Sequence, residues 1–405
     1  MTVVEASPTI PNPHGSSVDT SRIVRADYAN GAYSRLAAAA IQRWRATDWG
    51  REGRYTQNGL LLVYPGHSAS AKEYARKSYA NVRAIEGDNV VFLPTKKDVL
   101  GVVPAYGETL DVAGGYVNWG SGWSDAAASV RFAKEVLDRE GRVVFRTGDV
   151  QRVLYDVSGA RPRATGVEFS DGSSLSADLV VLATGAWTPK LVDLRGKAVA
   201  TGQAIAYIKI SDAEQRELEN LPTILNFATG IFIIPPRDNL LKIARHAYGY
   251  RNPTSVAVPG ATAGETMQVS LPETGVPVPL EGEEAFRVAL KQLLPRFVDR
   301  PFADTRICWY TDTYVSFARA CATSYWAEKA SLTNMLFDLQ SEWRLHRLLP
   351  SRVRWPLPRD RRQRARVQVL PCSWGQDCGC TRRYSGSRVA GSVDVEHGDE
   401  ARCWL

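Results

Sequence analysis

Lys242 and His246 stand four residues apart in an apolar segment, Leu240 to His246, that reads as a strand. Positions 242, 244 and 246 of a strand share one face, so an ammonium and an imidazole can enter one cavity; the plainer alternative is an exposed lysine and a hydrogen-bonded structural histidine. A thiol is also set apart, because residues 1 to 307 hold no cysteine and Cys308 follows them alone. It is either a reactive group or a buried, inert one. The run Ala177-Asp-Leu-Val-Val-Leu-Ala-Thr-Gly185 ends in small residues. Ala183 and Gly185 offer little side chain to keep a ligand from the backbone, as at strand ends that hold nucleotides. A buried strand with a glycine turn is the alternative.

Regular elements must carry these groups. Residues 1 to 5 read as a short strand ending in Glu5, and Pro8, Pro11 and Pro13 make the next stretch a loop. Helical spacing appears from Tyr28 to Ala46 and from Ser70 to Ile85, with a strand from Asn58 to Tyr64 between them. A further helix runs from Trp123, capped by Ser124 or Asp125 and closed by Gly141, into the strand Val143 to Arg146. Strands are expected at Val150 to Asp156, Ala164 to Phe169, Ala177 to Gly185, Thr201 to Ile210, Ile224 to Pro235 and Leu240 to His246, and a helix at Glu283 to Leu294. The pattern predicts an α/β nucleotide-type domain interleaved with an α+β substrate domain built on an antiparallel sheet.

Composition narrows the function classes. With 405 residues, 44% hydrophobic and 23% charged, the chain is ordinary globular material. It contains neither an apolar run long enough to cross a bilayer nor a basic-then-apolar leader, so an intracellular protein without membrane contact is expected. The net charge of +7 is uneven: residues 315 to 405 carry 15 Lys and Arg against 9 Asp and Glu, which leaves the rest of the chain close to neutral. A nucleic-acid partner is therefore not expected of the body. In the tail, Cys372, Cys378, Cys380, His397 and Cys403 lack paired Cys-x-x-Cys spacing, so no metal site is expected there.

Four separated motifs share one order with a known family: Gly15-Ser-Ser-Val-Asp-Thr-Ser-Arg-Ile-Val-Arg-Ala-Asp-Tyr28, Ala183-Thr-Gly-Ala-Trp187, Lys242-Ile-Ala-Arg-His246 and Arg306-Ile-Cys-Trp-Tyr-Thr311. Over residues 1 to 313 the chain resembles the flavin-dependent amine oxidases of the monomeric sarcosine oxidase and fructosyl amino acid oxidase (amadoriase) group, within the D-amino-acid-oxidase-like superfamily. The resemblance implies FAD as cofactor, a small secondary amine and O2 as partners, and a monomer in the cytoplasm or peroxisome. The amine would be sarcosine, pipecolate or a fructosyl amino acid, oxidised at its C–N bond to an imine with release of H2O2.

The resemblance also assigns residues. Glu5 would bond the ribose of FAD, since a carboxylate accepts both hydroxyls. Thr20, Ser21 and Arg22 would run along the flavin, with Val150, Ala183 and Gly185 completing the cofactor contacts. Arg22 would favour the reduced ring, and Arg25, one helical turn further, would bind the substrate carboxylate bidentately. Lys242 would sit against the flavin and assist its reaction with oxygen, His246 would stand nearby, and Cys308 would link covalently to the 8-methyl carbon. The implied division is an FAD-binding domain of residues 1–45, 140–200 and 300–314, a substrate domain of 46–139 and 201–299, and an aberrant, poorly ordered tail of 315–405.

Two parts of the family pattern are missing. Met1 falls on the second strand, after the expected Gly-x-Gly-x-x-Gly loop that grips the pyrophosphate, so an N-terminal truncation is expected; Gly114-Gly-Tyr-Val-Asn-Trp-Gly120 does not open a helix and is no substitute. The closing Gly-Gly-Ser-Gly-His-x-Phe-Lys-Phe segment is also absent. Codons of Pro358 to Val369 shifted by one nucleotide can spell Leu-Ala-Thr-Gly-Gly-Ser-Gly-His-Ala-Phe-Lys-Phe, and a retained intron between Val315 and Glu342 would produce that shift. The alternative function is then a catalytically incompetent fragment of such an oxidase that no longer binds FAD.

Overall fold

A computed structural model describes residues 1–107, 109–159, 161–260 and 264–313. The expectations for the tail, frame shift and absent metal site included, lie outside the described residues.

An eight-stranded sheet forms the centre, in the spatial order Asp304–Thr313, Ala198–Lys209, Leu240–Arg245, Ile231–Arg237, Thr223–Asn226, Leu60–Tyr64, Gly114–Asn118 and Val90–Leu93. The expected antiparallel sheet is in fact mixed, because Thr223–Asn226 pairs parallel to Leu60–Tyr64 while the other neighbours run antiparallel. A parallel pair needs a crossover rather than a hairpin, and the long chain separation between these two strands permits one. Leu61, Val63, Ile233 and Ile243 pack on one face with Phe286, Leu290 and Leu293 of the helix Leu280–Leu293. Leu60, Leu62, Tyr64, Ile205 and Ala244 pack on the other against Ile41 and Tyr74 from the helices Gly31–Ala46 and Ala69–Glu86. Alternate residues thus serve opposite layers, which is why Leu-Leu-Leu-Val-Tyr is apolar throughout.

Smaller sheets lie beside this wall. Thr2–Glu5 pairs parallel with Val144–Thr147, and Arg22–Val24 pairs antiparallel with Gly122–Ser124. The helix Ala126–Glu140 takes Asp125 as its cap, the carboxylate accepting from the Ala128 N–H at 2.8 Å, and ends at Gly141 in the left-handed conformation.

Two strand expectations are corrected. The apolar run 177–185 is not a strand: only Val181 makes a bridge, Leu179 and Val181 are exposed, and Val180 alone is buried. An apolar sequence cannot make a strand without an edge to pair with, and among the described residues that edge reaches only one position. The expected strand Ile224 to Pro235 is two strands, because Gly230 at φ +69° and the Asn226 side chain turn the chain back between them.

Candidate active site

The segment Asp19, Thr20 and Ser21 leads into the strand Arg22–Val24 and touches the large sheet, where the Ser21 carbonyl accepts from Lys242 Nζ. The Asp19 side chain is fully buried. Its Oδ2 accepts from Lys242 Nζ at 2.5 Å and lies 3.1 Å from Arg22 Nη1 and 3.2 Å from Arg306 Nη2, while Oδ1 accepts from the Tyr207 hydroxyl at 2.7 Å. Burial pushes this carboxyl up, but Lys242, Arg22 and Arg306 together override it and hold it well below the usual carboxylate range. Three cations therefore share one carboxylate.

Arg22 is the hinge of the group. Its Nε and Nη2 donate to the Ser16 carbonyl at 2.9 and 2.6 Å, and Nη2 also donates to Cys308 Sγ at 2.9 Å. Burial disfavours its charge, yet the Cys308 and Asp19 side chains raise its pKa above the ordinary arginine value. Lys242 Nζ makes a second bond to the Ser21 carbonyl at 2.8 Å. Burial lowers the Lys242 pKa to about 8, with Asp19 opposing that and the two arginines adding to it.

Sheet register explains the convergence. Tyr207 lies opposite Lys242, Ile205 opposite Arg306 and Gln203 opposite Cys308, so these side chains share a face. His246 lies just beyond the strand Leu240–Arg245, with its ring 5.7 Å from that of Tyr310, two residues along the face from Cys308. Arg22 and Lys242 thus meet around one buried carboxylate, Cys308 lies against Arg22, and His246 lies beside the same strand face. Asp19, Arg306 and Tyr207 were not singled out from the sequence. The usable signal was charge balance, since cations expected in one cavity need an anion, and Asp19 and Arg306 stand within the motifs quoted for the resemblance.

Arg25 stands apart. The expected helical turn is wrong because Arg22–Val24 is a strand, and residues three apart on an extended chain do not stack. Arg25 is buried, lies 4.4 Å over the Tyr28 ring, and donates from Nη1 to the Asp27 carbonyl. Among the described residues no carboxylate reaches it at ion-pair distance. Burial works against its charge, and Tyr74, Tyr28 and Asp27 more than compensate.

The remaining expected contacts are spread along a second line. Glu5 ends its strand with Oε1 accepting from the Ser7 N–H at 3.0 Å and from Asn12 Nδ2 at 2.7 Å, which secures the proline loop. Val4, Val150, Val180 and Leu182 pack together, which draws the surroundings of Glu5, Val150 and Ala183 into one small core. Ala183 and Thr20 are exposed. Gly185 has φ +50° and open space where a Cβ would stand. The turn it opens, Gly185–Trp187, packs through Ala186 and Trp187 against Ala200 and Trp309, next to Cys308.

These residues suit a flavin. Two cations in excess of Asp19, held beside a thiol on a rigid sheet face, complement a ring that gains negative charge on reduction, and Gly185 leaves room for close approach. Comparison with known proteins agrees. An amino acid oxidase of Aspergillus flavus, imqH, is 30% identical over 358 residues, covering 76% of this chain and 75% of its own. An L-saccharopine oxidase of Schizosaccharomyces pombe is 24% identical, covering 76% and 73%. A thermally stable mutant of a fructosyl peptide oxidase superposes with a TM-score of 0.69 at 25% identity, over 77% of this chain and 73% of that one. The deglycating fructosamine oxidase of Aspergillus fumigatus, Amadoriase II, shares the fold at 23% identity and a TM-score of 0.62, over 77% and 69%. The family model described as DAO, FAD dependent oxidoreductase, matches residues 1–318, and the chain belongs to that family of FAD-dependent oxidoreductases.

Proposed function

We propose that the protein oxidises the C–N bond of a secondary amine that carries a carboxylate, of the sarcosine, pipecolate or fructosyl amino acid type, with O2 as electron acceptor and an imine and H2O2 as products. The observation that carries this reading is the buried Asp19 cluster, which sets Arg22, Lys242 and Arg306 beside Cys308. When bound, FAD supplies the acceptor for the hydride of the carbon next to nitrogen. Arg22 and Lys242 would hold fixed positive charge against the ring, Thr20 and Ser21 would line it, and Glu5, Val150, Ala183 and Gly185 would contact the rest of the nucleotide. Arg25, a buried guanidinium with no carboxylate partner among the described residues, would take the substrate carboxylate. His246, beside Tyr310, would border the amine.

The test is to titrate the purified 405-residue chain with FAD, following absorbance, and then screen the three amine classes for peroxide release. Yellow protein that loses its colour on acid precipitation only after Cys308→Ser supports the reading, covalent link included. A chain that stays colourless and releases no peroxide overturns it in favour of a fragment that no longer binds flavin.

A further inference from the structure

Asp19 is a costly way to join strands. Burying a carboxylate with Lys242 and Arg22, and most of Arg306, takes charge out of water, and apolar side chains of similar volume generally hold a core at least as well. The cluster also stays unbalanced, with more positive charge than Asp19 offsets. Its geometry is nevertheless specific. Asp19 is engaged at both oxygens: Oδ2 accepts from Lys242 and forms ion pairs with Arg22 and Arg306, and Oδ1 accepts from Tyr207. The three cations come from three separate strands, Arg22–Val24, Leu240–Arg245 and Asp304–Thr313. The Asp19 backbone is itself tied down, since its carbonyl accepts from the Ala127 N–H at the start of the helix Ala126–Glu140 at 3.2 Å.

The consequence falls on Lys242. An ammonium has three N–H bonds, and among the described residues Asp19 and Ser21 take two of them. With two donors fixed the third has one direction left, so the ammonium is aimed rather than merely present. Arg22 is fixed in the same way by Ser16 and Asp19, which leaves Nη2 against the thiol.

We propose that Asp19 is a positioning residue: it holds Lys242 charged and aimed, and Arg22 beside it, with Arg306 as the third cation that raises the cluster's net charge from +1 to +2. The role given to Lys242 and Arg22 toward a flavin rests on the function proposed above; the positioning by Asp19 does not require it. The titratable groups facing Lys242 are Asp19 from the loop before Arg22, Tyr207 from the paired strand, Arg306 from Asp304–Thr313 and Arg22, with Cys308 and Tyr310 beyond Arg22.

The experiment is a 13C-lysine NMR titration of the full chain, with the Lys242 signal assigned by its loss in Lys242→Met. In Asp19→Asn the Lys242 midpoint should fall from about 8 by roughly 1–3 pH units, because the one opposite charge is gone while burial and both arginines remain. Asp19→Glu should return it toward the unaltered value. A residue that only braced the fold would do the reverse: losing it would admit water, and the midpoint would climb toward the ordinary 10.5. An unchanged or rising midpoint in Asp19→Asn overturns the proposal. If Asp19→Asn does not fold, Asp19→Asn combined with Arg306→Met removes one buried charge of each sign, and the midpoint must still lie below that of Arg306→Met alone. FAD binding, read on the same samples by quenching of flavin fluorescence, separates the two ideas. A chain that takes no FAD while its Lys242 midpoint falls retains the positioning role and loses the flavin reading. A chain that binds FAD with an unmoved midpoint does the opposite.

Discussion

Replacing Lys242 with methionine should remove a pH-dependent cost to stability, one that is greatest at neutral pH and fades as the pH rises. The side chain is buried, and its pKa is lowered from 10.5 to about 8, first by burial, which outweighs the help from Asp19. Below about 8 the folded and unfolded chains both hold the proton, and the full cost of the buried charge applies. Between about 8 and 10.5 the unfolded chain keeps a proton that the folded chain has released, so stability rises with pH across that window. The gap corresponds to about 3 kcal/mol, at about 1.4 kcal/mol for each tenfold change in proton affinity, of which roughly 2 kcal/mol is recovered between pH 7 and pH 10. Methionine keeps most of the apolar stem and none of the charge. It does not strand Asp19, which retains Arg22 at 3.1 Å and Arg306 at 3.2 Å. Urea unfolding of both chains at pH 7, 8, 9 and 10 and constant ionic strength should show the unaltered protein gaining about 2 kcal/mol on the variant across the series. A difference that is flat in pH, or that moves in favour of the variant, would refute the reasoning.

Asp19 titrates in the opposite sense. Its folded pKa is held below the ordinary 3.8, so its contribution is present above about pH 4 and is lost as the pH falls further; Asp19→Asn should flatten that acid limb in urea unfolding series from pH 5 downward. Arg25→Met should raise KM for a carboxylated amine by roughly tenfold to a hundredfold, about 1.5–3 kcal/mol of charge-assisted hydrogen bonding, while leaving KM for the same amine without its carboxylate unchanged. Equal losses on both amines would refute the assignment. Gly122→Ala places a Cβ 2.0 Å from the Thr56 carbonyl oxygen, in the strand that pairs with Arg22–Val24. Chemical denaturation should show a loss of about 1–3 kcal/mol, since backbone rather than a movable side chain must give way.

Much of this arrangement was legible because period and chemistry agreed. Leu240 to Arg245 could be read as a strand, and the shared face of 242 and 244 followed from alternation alone. Asp125 and Gly141 delimited their helix by capping chemistry. The failures have physical causes of a different kind. Residues 177–185 have the composition of a strand, but pairing is a property of two segments, and one sequence run cannot show whether its partner is at hand. Arg25 looked like a helical neighbour of Arg22 because spacing in sequence carries no information on backbone conformation in so short a stretch. Asp19 was passed over because an acid in a polar motif resembles any solvated carboxylate until burial and three cations from distant strands are known.

The pairing of Asp304–Thr313 with Ala198–Lys209 is continuous over ten residues, and Arg306, Cys308 and Tyr310 occupy every second position along it. This strand works as a ruler with a two-residue graduation. Exchanging a side chain at a mark alters one function, but deleting or inserting a single residue between Arg306 and Cys308 would send the thiol and the phenol together into the layer opposite the guanidinium. Drift along this stretch is therefore confined to swaps at constant length, whereas the loops that bring Ser16 and Ser21 to the site can lengthen or shorten as far as their two carbonyl contacts allow.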